Sequence, residues 1–318
     1  MGTPSSSSLR NILLYFAAIF IGGSLIAVQL HSLVQWLQGP LPFLADIADD
    51  PFRRYVTRCW MIIAIALLWW FLKASGITSW KEAGISGRSH IRSELLQGFA
   101  FGFASLALIA FIAWAVGART WNFDHEGSRY LKHFINATLA AVLVGFIEEL
   151  VFRGALFGSL KRASSFLPAL LISSGVYAIV HFFERANVDE VHWYSGLLLI
   201  PKMLKGFGNL EQLIPGFFNL TIAGVILAIA FQKTKRLWLS IGIHAGWIFW
   251  LKSYGFFTLP VEGASEWLWG TRKLIDGWLA LGILSIGLWL FLKYYTPKAI
   301  KESSEDGSPD RKATETGL

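Results

Sequence analysis

The sequence predicts an all-α polytopic transmembrane helical bundle of about eight spans, and three observations predict it. Of 318 residues, 54% are hydrophobic and only 15% are charged, against about 25% charged in a soluble globular chain. The mean hydropathy is +0.50, and the apolar residues come in blocks of about 20, the length that crosses a hydrocarbon core as a helix. Fifteen Trp suit a chain that passes through membrane–water interfaces, where indoles concentrate. This composition excludes a disordered chain, a collagen, a disulfide scaffold and an ordinary cytosolic enzyme.

The spans fall at roughly 11–36, 55–73, 94–117, 133–159, 165–183, 211–232, 236–252 and 274–295, each close to the length a bilayer requires. Residues 1–10, rich in Ser, are expected to be disordered, as is the polar cytosolic tail 298–318. The block 11–36 runs past the core of a signal peptide and no A-x-A site follows it, so it is read as a span. Met1-Gly2 with Ser6 matches a short myristoylation pattern that chance supplies readily. The region 11–132 holds three spans without a diagnostic motif, and 253–297 holds the last span. Between them lies 133–252, the segment that carries Glu148, Glu149, Arg153, His181 and His244. The stretch 194–200 is apolar but too short to cross, and no tandem repeat is present.

The net charge of +7 would favour nucleic-acid binding in a soluble protein. Here Lys and Arg sit mostly in short loops, a pattern that sets membrane orientation and calls for no nucleic-acid partner. The loop after span two carries Lys73, Lys81, Arg88 and Arg92 against Glu82 and Glu94. The loop after span four carries Lys161 and Arg162, and that after span six Lys233, Lys235 and Arg236, without an acid. Alternate loops mix their charges: Asp46, Asp49 and Asp50 with Arg53 and Arg54, and Glu184, Asp189 and Glu190 with Arg185, Lys202 and Lys205. The positive-inside bias then places both termini in the cytosol. The one cysteine, Cys59, permits neither an internal disulfide nor a cysteine metal cluster.

An ionisable residue inside a span is costly and marks a functional candidate. Glu148, Glu149 and Arg153 lie in span four, His181 near the end of span five and His244 in span seven; Asp276, at the start of span eight, is expected to reach the interface. Glu149 and Arg153 are i and i+4, so they share a helix face and pair. Glu148 is rotated by about 100° and faces a different neighbour. At 1.5 Å per residue Glu148 lies about 16 Å from the cytosolic end of its span, His181 about 24 Å and His244 about 12 Å, a spread that tilt absorbs. A buried glutamate suits a general base, and a histidine can orient water or serve an oxyanion, so the inventory fits water-dependent cleavage of a carbonyl compound.

Taken singly, a buried Glu–Arg pair is often a folding element, and a lone intramembrane His is commonly an interhelical hydrogen-bond partner. Their joint occurrence on three spans favours a site. His31, His90, His125, His133 and His192 are expected to be solvated at interfaces or in loops. A divalent metal is an open alternative on Glu148, His181 and His244, on His181 with Glu184, or on Asp189, Glu190 and His192. No H-E-x-x-H pair, Walker loop or dinucleotide fingerprint is present, and no other cofactor is implied.

The run Glu148-Glu149-Leu-Val-Phe152-Arg153-Gly154, followed by Leu156 and Leu160, resembles the E-E-x-x-x-R motif of the CAAX protease and bacteriocin-processing family, intramembrane proteases of the CAAX prenyl protease 2 type. Tyr177 and His181 resemble its F-x-x-x-H motif, and His244-Ala245-Gly246 the start of its H-x-x-x-N motif. Gly224, Leu237-Trp238 and Ile241 also look like the family, and the similarity covers residues 133–252. The resemblance implies that Glu148 activates the catalytic water with His181 helping to hold it, that Glu149 and Arg153 brace the site, and that His244 helps to stabilise the oxyanion. The chain departs from the pattern at Ile248, which has no side-chain donor where the family has Asn or another polar residue. Trp247 and Asn219 are the candidate substitutes.

The expected function is therefore an intramembrane endopeptidase with a glutamate-activated water. Its partners would be the lipid bilayer and membrane-associated peptide or protein substrates, cut near a C-terminus or a membrane anchor. Two alternatives stand beside it: a non-catalytic scaffold or bacteriocin-immunity protein, which the Ile248 departure favours, and a proton-coupled transporter using the buried Glu and His as a relay.

Overall fold

The apolar blocks fold as helices α1 (Arg10–Leu37), α2 (Phe52–Ala74), α3 (Arg88–Ala115), α4 (Gly127–Ala163), α5 (Phe166–Val180), α6 (Ser195–Met203), α7 (Leu210–Thr234), α8 (Trp238–Phe257) and α9 (Trp278–Tyr294). The computed structural model describes residues 6–183, 186–188 and 190–295. The Met1-Gly2 pattern, Glu184, Asp189 and the tail from residue 296 lie outside the described residues. Helix begins already at Ser6, inside the stretch expected to be disordered.

The chain is an all-α polytopic membrane bundle. Among the described residues, five helices, not eight, are long and apolar enough to cross a membrane: α1, α2, α3, α4 and α7. Helices α5 and α9 have only 15 and 17 residues. Helix α8 has 20 but carries Ser240, His244, Lys252 and Ser253. It is buried from Leu239 to Ile248, so protein rather than lipid surrounds it and its sequence need not be uniformly apolar.

Helix α8 lies parallel to α3 along most of its length. Arg236 pairs with Glu94 at one end, and the Trp247 indole N–H donates to Ser105 Oγ at 2.9 Å further along. Between these points the backbones touch. A Cβ on Gly102 would collide with the Ile243 carbonyl, and one on Gly246 would sit 2.6 Å from the Phe99 oxygen. Paired small-xxx-small faces, Gly98/Gly102 and Gly242/Gly246, allow this approach, which replaces a hydrophobic drive that lipid does not supply. Helix α9 likewise runs beside α7: the Asn219 amide donates to the Ile275 and Gly277 carbonyls at 2.8 and 2.9 Å, and Lys233 Nζ to those of Leu292 and Tyr295 at 3.3 and 2.8 Å. Helix α5 packs antiparallel to α7, with Ser174 against Gly224 and Phe182 against Gly216.

An antiparallel ribbon pairs β1 (Arg119–Trp121) with β2 (Thr258–Pro260). Three-residue strands carry too little alternation to stand out in a sequence, and this one adds to the all-α expectation. Three histidines expected to be solvated are half-buried instead. His133 stacks on Phe256 at 4.0 Å and meets Ser253 Oγ at 3.1 Å; His125 stacks on the same ring and its Nε2 donates to the Phe256 carbonyl at 2.9 Å. His31 packs edge-on against Phe52 and Tyr55. Aromatic faces close to the chain ends of α8 and α2 draw these rings in.

Gly102→Val drives a side chain into the α8 backbone, and overpacking of this kind costs about 1–3 kcal/mol or more. Thermal unfolding in detergent is expected to show a clear fall in midpoint for this variant. Gly175→Ala, whose Cβ meets nothing within 4 Å, is expected to hold or raise it; equal behaviour of the two would contradict the packing.

Candidate active site

Helix α4 carries Glu148 and Glu149 into a π-helical turn, Leu150–Phe157, that contains Arg153. Such turns widen a helix locally and occur often at functional sites. Glu149 is 0% exposed and Arg153 2%, so neither charge is solvated and each needs a partner. Arg153 Nη1 donates to Glu149 Oε1 at 2.9 Å, and Nη2 to the Gly224 carbonyl on α7 at 3.3 Å. The guanidinium lies over the Tyr177 ring at 4.4 Å. The same Glu149 oxygen accepts from His244 Nδ1 at 2.9 Å. One carboxylate thereby ties α4 to α8, and through Arg153 to α7 and α5.

Glu148 points elsewhere, as its helical phase predicts. Its Oε2 lies 3.6 Å from His181 Nε2 and 3.7 Å from His244 Nε2, and makes no hydrogen bond among the described residues. His181 Nδ1 is 2.7 Å from the Tyr177 carbonyl and donates to it, which leaves the lone pair of Nε2 facing Glu148. His244 gives its Nδ1–H to Glu149, so its Nε2 accepts the Tyr177 hydroxyl at 3.3 Å. All five residues singled out in the sequence thus meet in one place.

Glu148, Tyr177, His181, Asn219, His244 and Ile248 line a cavity of about 340 Å3 whose remaining wall is mostly apolar. A cleft of about 580 Å3 between Trp267, Trp278 and Ile286 holds no titratable side chain. The two substitutes considered for Ile248 are both committed: the Trp247 N–H to Ser105, and the Asn219 amide to Ile275 and Gly277. Among the described residues no group of three or more His, Cys, Asp or Glu side chains is arranged to hold a metal ion. Asp276 does not reach the interface freely; it is buried and accepts from the Thr271 N–H at 2.8 Å and the Thr271 hydroxyl at 2.5 Å. Lys252, which the sequence did not single out, lines the cavity from α8. The signal that could have found it is its spacing, eight residues or about two turns beyond His244 on one helix face.

Arg153→Met leaves the Glu149 charge buried without its guanidinium, a loss of about 3–5 kcal/mol. This variant is expected to unfold or fail to accumulate, whereas Glu148→Gln, at the cavity wall, is expected to keep the wild-type melting midpoint in detergent. Equal stability of the two would show that Glu149–Arg153 does not brace the fold.

A family model described as type II CAAX prenyl endopeptidase, Rce1-like, matches residues 130–250. No curated protein and no solved structure matches the chain. The matched segment contains every residue of the cluster, from Glu148 on α4 to His244 on α8, and over residues 130–250 the chain is similar to the Rce1-like family of CAAX proteases.

Proposed function

We propose that this intramembrane endopeptidase cleaves membrane-associated substrates with a water activated by Glu148. The observation that carries the reading is the convergence of one carboxylate oxygen and two imidazole nitrogens, from three helices, on one cavity. A water there donates one proton to Glu148 and the other hydrogen bond to His181 Nε2. As Glu148 takes its proton, the hydroxide adds to the scissile carbonyl. Glu148 then returns the proton to the departing amide nitrogen, which leaves as an amine while a new carboxylate remains. Glu149 and Arg153 hold His244, and the water-poor wall strengthens each of these contacts.

The developing oxyanion is the weak point of the machinery. With Nδ1–H given to Glu149, His244 presents an N–H to the cavity only when doubly protonated, and Ile248 has no donor to add. Supplying a donor should therefore help. Ile248→Asn is expected to raise turnover by about tenfold or more, since one oxyanion donor is worth about 10²–10³ in rate. A fall in turnover in a folded Ile248→Asn protein would sink this account of the oxyanion.

The reading includes eight crossings with both termini cytosolic. Helix α8 keeps level with α3, while α5 and α9 keep level with α7, so each is expected to cross with its neighbour. Tags at both termini should then be protected from protease in right-side-out vesicles, and a tag in the turn at 261–264 should be cut. A cleaved terminal tag would overturn the orientation.

The decisive experiment compares protein termini in membranes of cells expressing wild type, Glu148→Ala and Glu149→Ala at equal levels. New termini are expected in wild type alone, with Glu148→Ala lowering activity by about 10²–10⁴ while staying folded. Identical termini in all strains that express candidate substrates would favour a non-catalytic scaffold.

A further inference from the structure

The cavity at Glu148 offers fewer free hydrogen-bond donors than its polar lining suggests. Besides Tyr177, the lining side chains that carry an N–H are His181, Asn219, His244, Trp247 and Lys252. The first four have already given theirs away. His181 Nδ1 donates to the Tyr177 carbonyl, His244 Nδ1 to Glu149, Trp247 Nε1 to Ser105, and the Asn219 amide to the Ile275 and Gly277 carbonyls. Lys252 stands eight residues beyond His244, about 12 Å along α8. The backbone N–H groups of the surrounding helices are bound within their own turns.

Among the described residues that line the cavity, Tyr177 is the remaining donor near Glu148. It is buried, and its hydroxyl lies 3.3 Å from His244 Nε2. A strong hydroxyl bond measures about 2.7–2.8 Å, so little is lost when this O–H turns elsewhere. The ring itself is held. Arg153 lies over it at 4.4 Å, Phe152 meets it edge-on at 5.2 Å, and the His181 ring lies 4.5 Å from it. With the ring fixed, the motion left to the group is rotation of the O–H bond. His244 Nε2 is the common neighbour of this hydroxyl and of Glu148 Oε2, which lies 3.7 Å from it. The donor therefore stands beside the place where the activated water would attack.

We propose that Tyr177 is a catalytic residue whose hydroxyl donates to the oxyanion formed when the water activated by Glu148 adds to the scissile carbonyl. The role rests on the endopeptidase reading, and it supplies the donor that neutral His244 and Ile248 lack. As the hydroxide bonds to the carbonyl carbon, the C=O π pair moves onto the oxygen, and the Tyr177 O–H turns from His244 Nε2 to that oxygen. When the C–N bond breaks, the pair returns to re-form the carbonyl, and Glu148 delivers its proton to the nitrogen. Tyr177 keeps its own proton throughout, so the step needs no further acid or base. A single donor leaves room for a second, in keeping with the gain expected from Ile248→Asn. The motif that Tyr177 and His181 resemble has phenylalanine in this place, which carries no donor, so the role belongs to the tyrosine of this chain.

The test uses the full chain in detergent micelles and a fluorogenic decapeptide spanning the cut site found by the terminus comparison. Tyr177→Phe removes the hydroxyl and keeps the ring. It is expected to hold the wild-type melting midpoint and KM and to lower kcat by about 10²–10³. A hydroxyl that only steadied His244 would also slow the reaction, so Ile248→Asn is made in both backgrounds. A donor supplied in this way is expected to raise kcat by a factor about tenfold greater in the Tyr177→Phe protein than in wild type, because there it replaces the lost donor. An equal gain in the two backgrounds, or a Tyr177→Phe melting midpoint well below that of wild type, would overturn the role. Equal kcat in wild type and Tyr177→Phe, with cleavage lost in Glu148→Gln, would reject Tyr177 alone and leave the protease reading intact. A peptide left whole by wild type and Glu148→Gln alike would overturn both.

Discussion

A carboxylate sealed from water must find positive or donating partners, and the partners that Glu149 finds decide where four helices meet. Arg153 reaches it from one turn along the same helix, and His244 from α8. Arg153 in turn binds the Gly224 carbonyl and lies over Tyr177. Removing any one member strands a buried charge or donor, whose cost exceeds that of losing an ordinary contact. The bracing residues and the proposed water-activating residue are adjacent in sequence yet differ in role, because a rotation of about 100° sends one into the protein and the other to the cavity.

The close approach of α3 and α8 supports that arrangement from the other side. Glycine on both faces lets the backbones touch, and this holds α8 in the interior with His244 at the level of Glu149. Burial also explains the sequence of α8, which tolerates Ser240, His244 and Lys252 because lipid does not surround it. The polar ends are fastened separately. Arg236 grips Glu94 through Nε at 2.9 Å and also through Nη2, and the Trp238 indole donates to the Ser86 carbonyl at 2.6 Å. In the preceding loop the Thr78 backbone N–H, and Arg162 beside it, hold the Glu82 carboxyl below its ordinary value.

At the opposite end the ribbon of β1 and β2 braces the loop before α9, whose Ile275 lines the cavity. Arg119 spans from β1 to this loop and packs over Tyr254 at 4.7 Å. Asn219 commits both amide hydrogens to the same loop, so it builds the rim and does not serve an oxyanion.

The sequence by itself determined the membrane bundle, through run length and composition. It also determined the pairing of Glu149 with Arg153 and the separate facing of Glu148, because these follow from the pitch of a single helix. The motifs around Glu148, His181 and His244 marked the resemblance to the family for the same reason, being local spacings. Other features depend on how helices register against one another. Trp247 reads as a free donor until Ser105 is seen beside it, and Asn219 until the α9 loop is. His133 and His125 read as interfacial until Phe256 lies between them. Lys252 is an ordinary cation until α8 is brought to the cavity. Helix register is set by small residues on two partners at once, and no single span encodes it, so the tertiary structure alone decided which polar atoms were already spent and which still face the cavity.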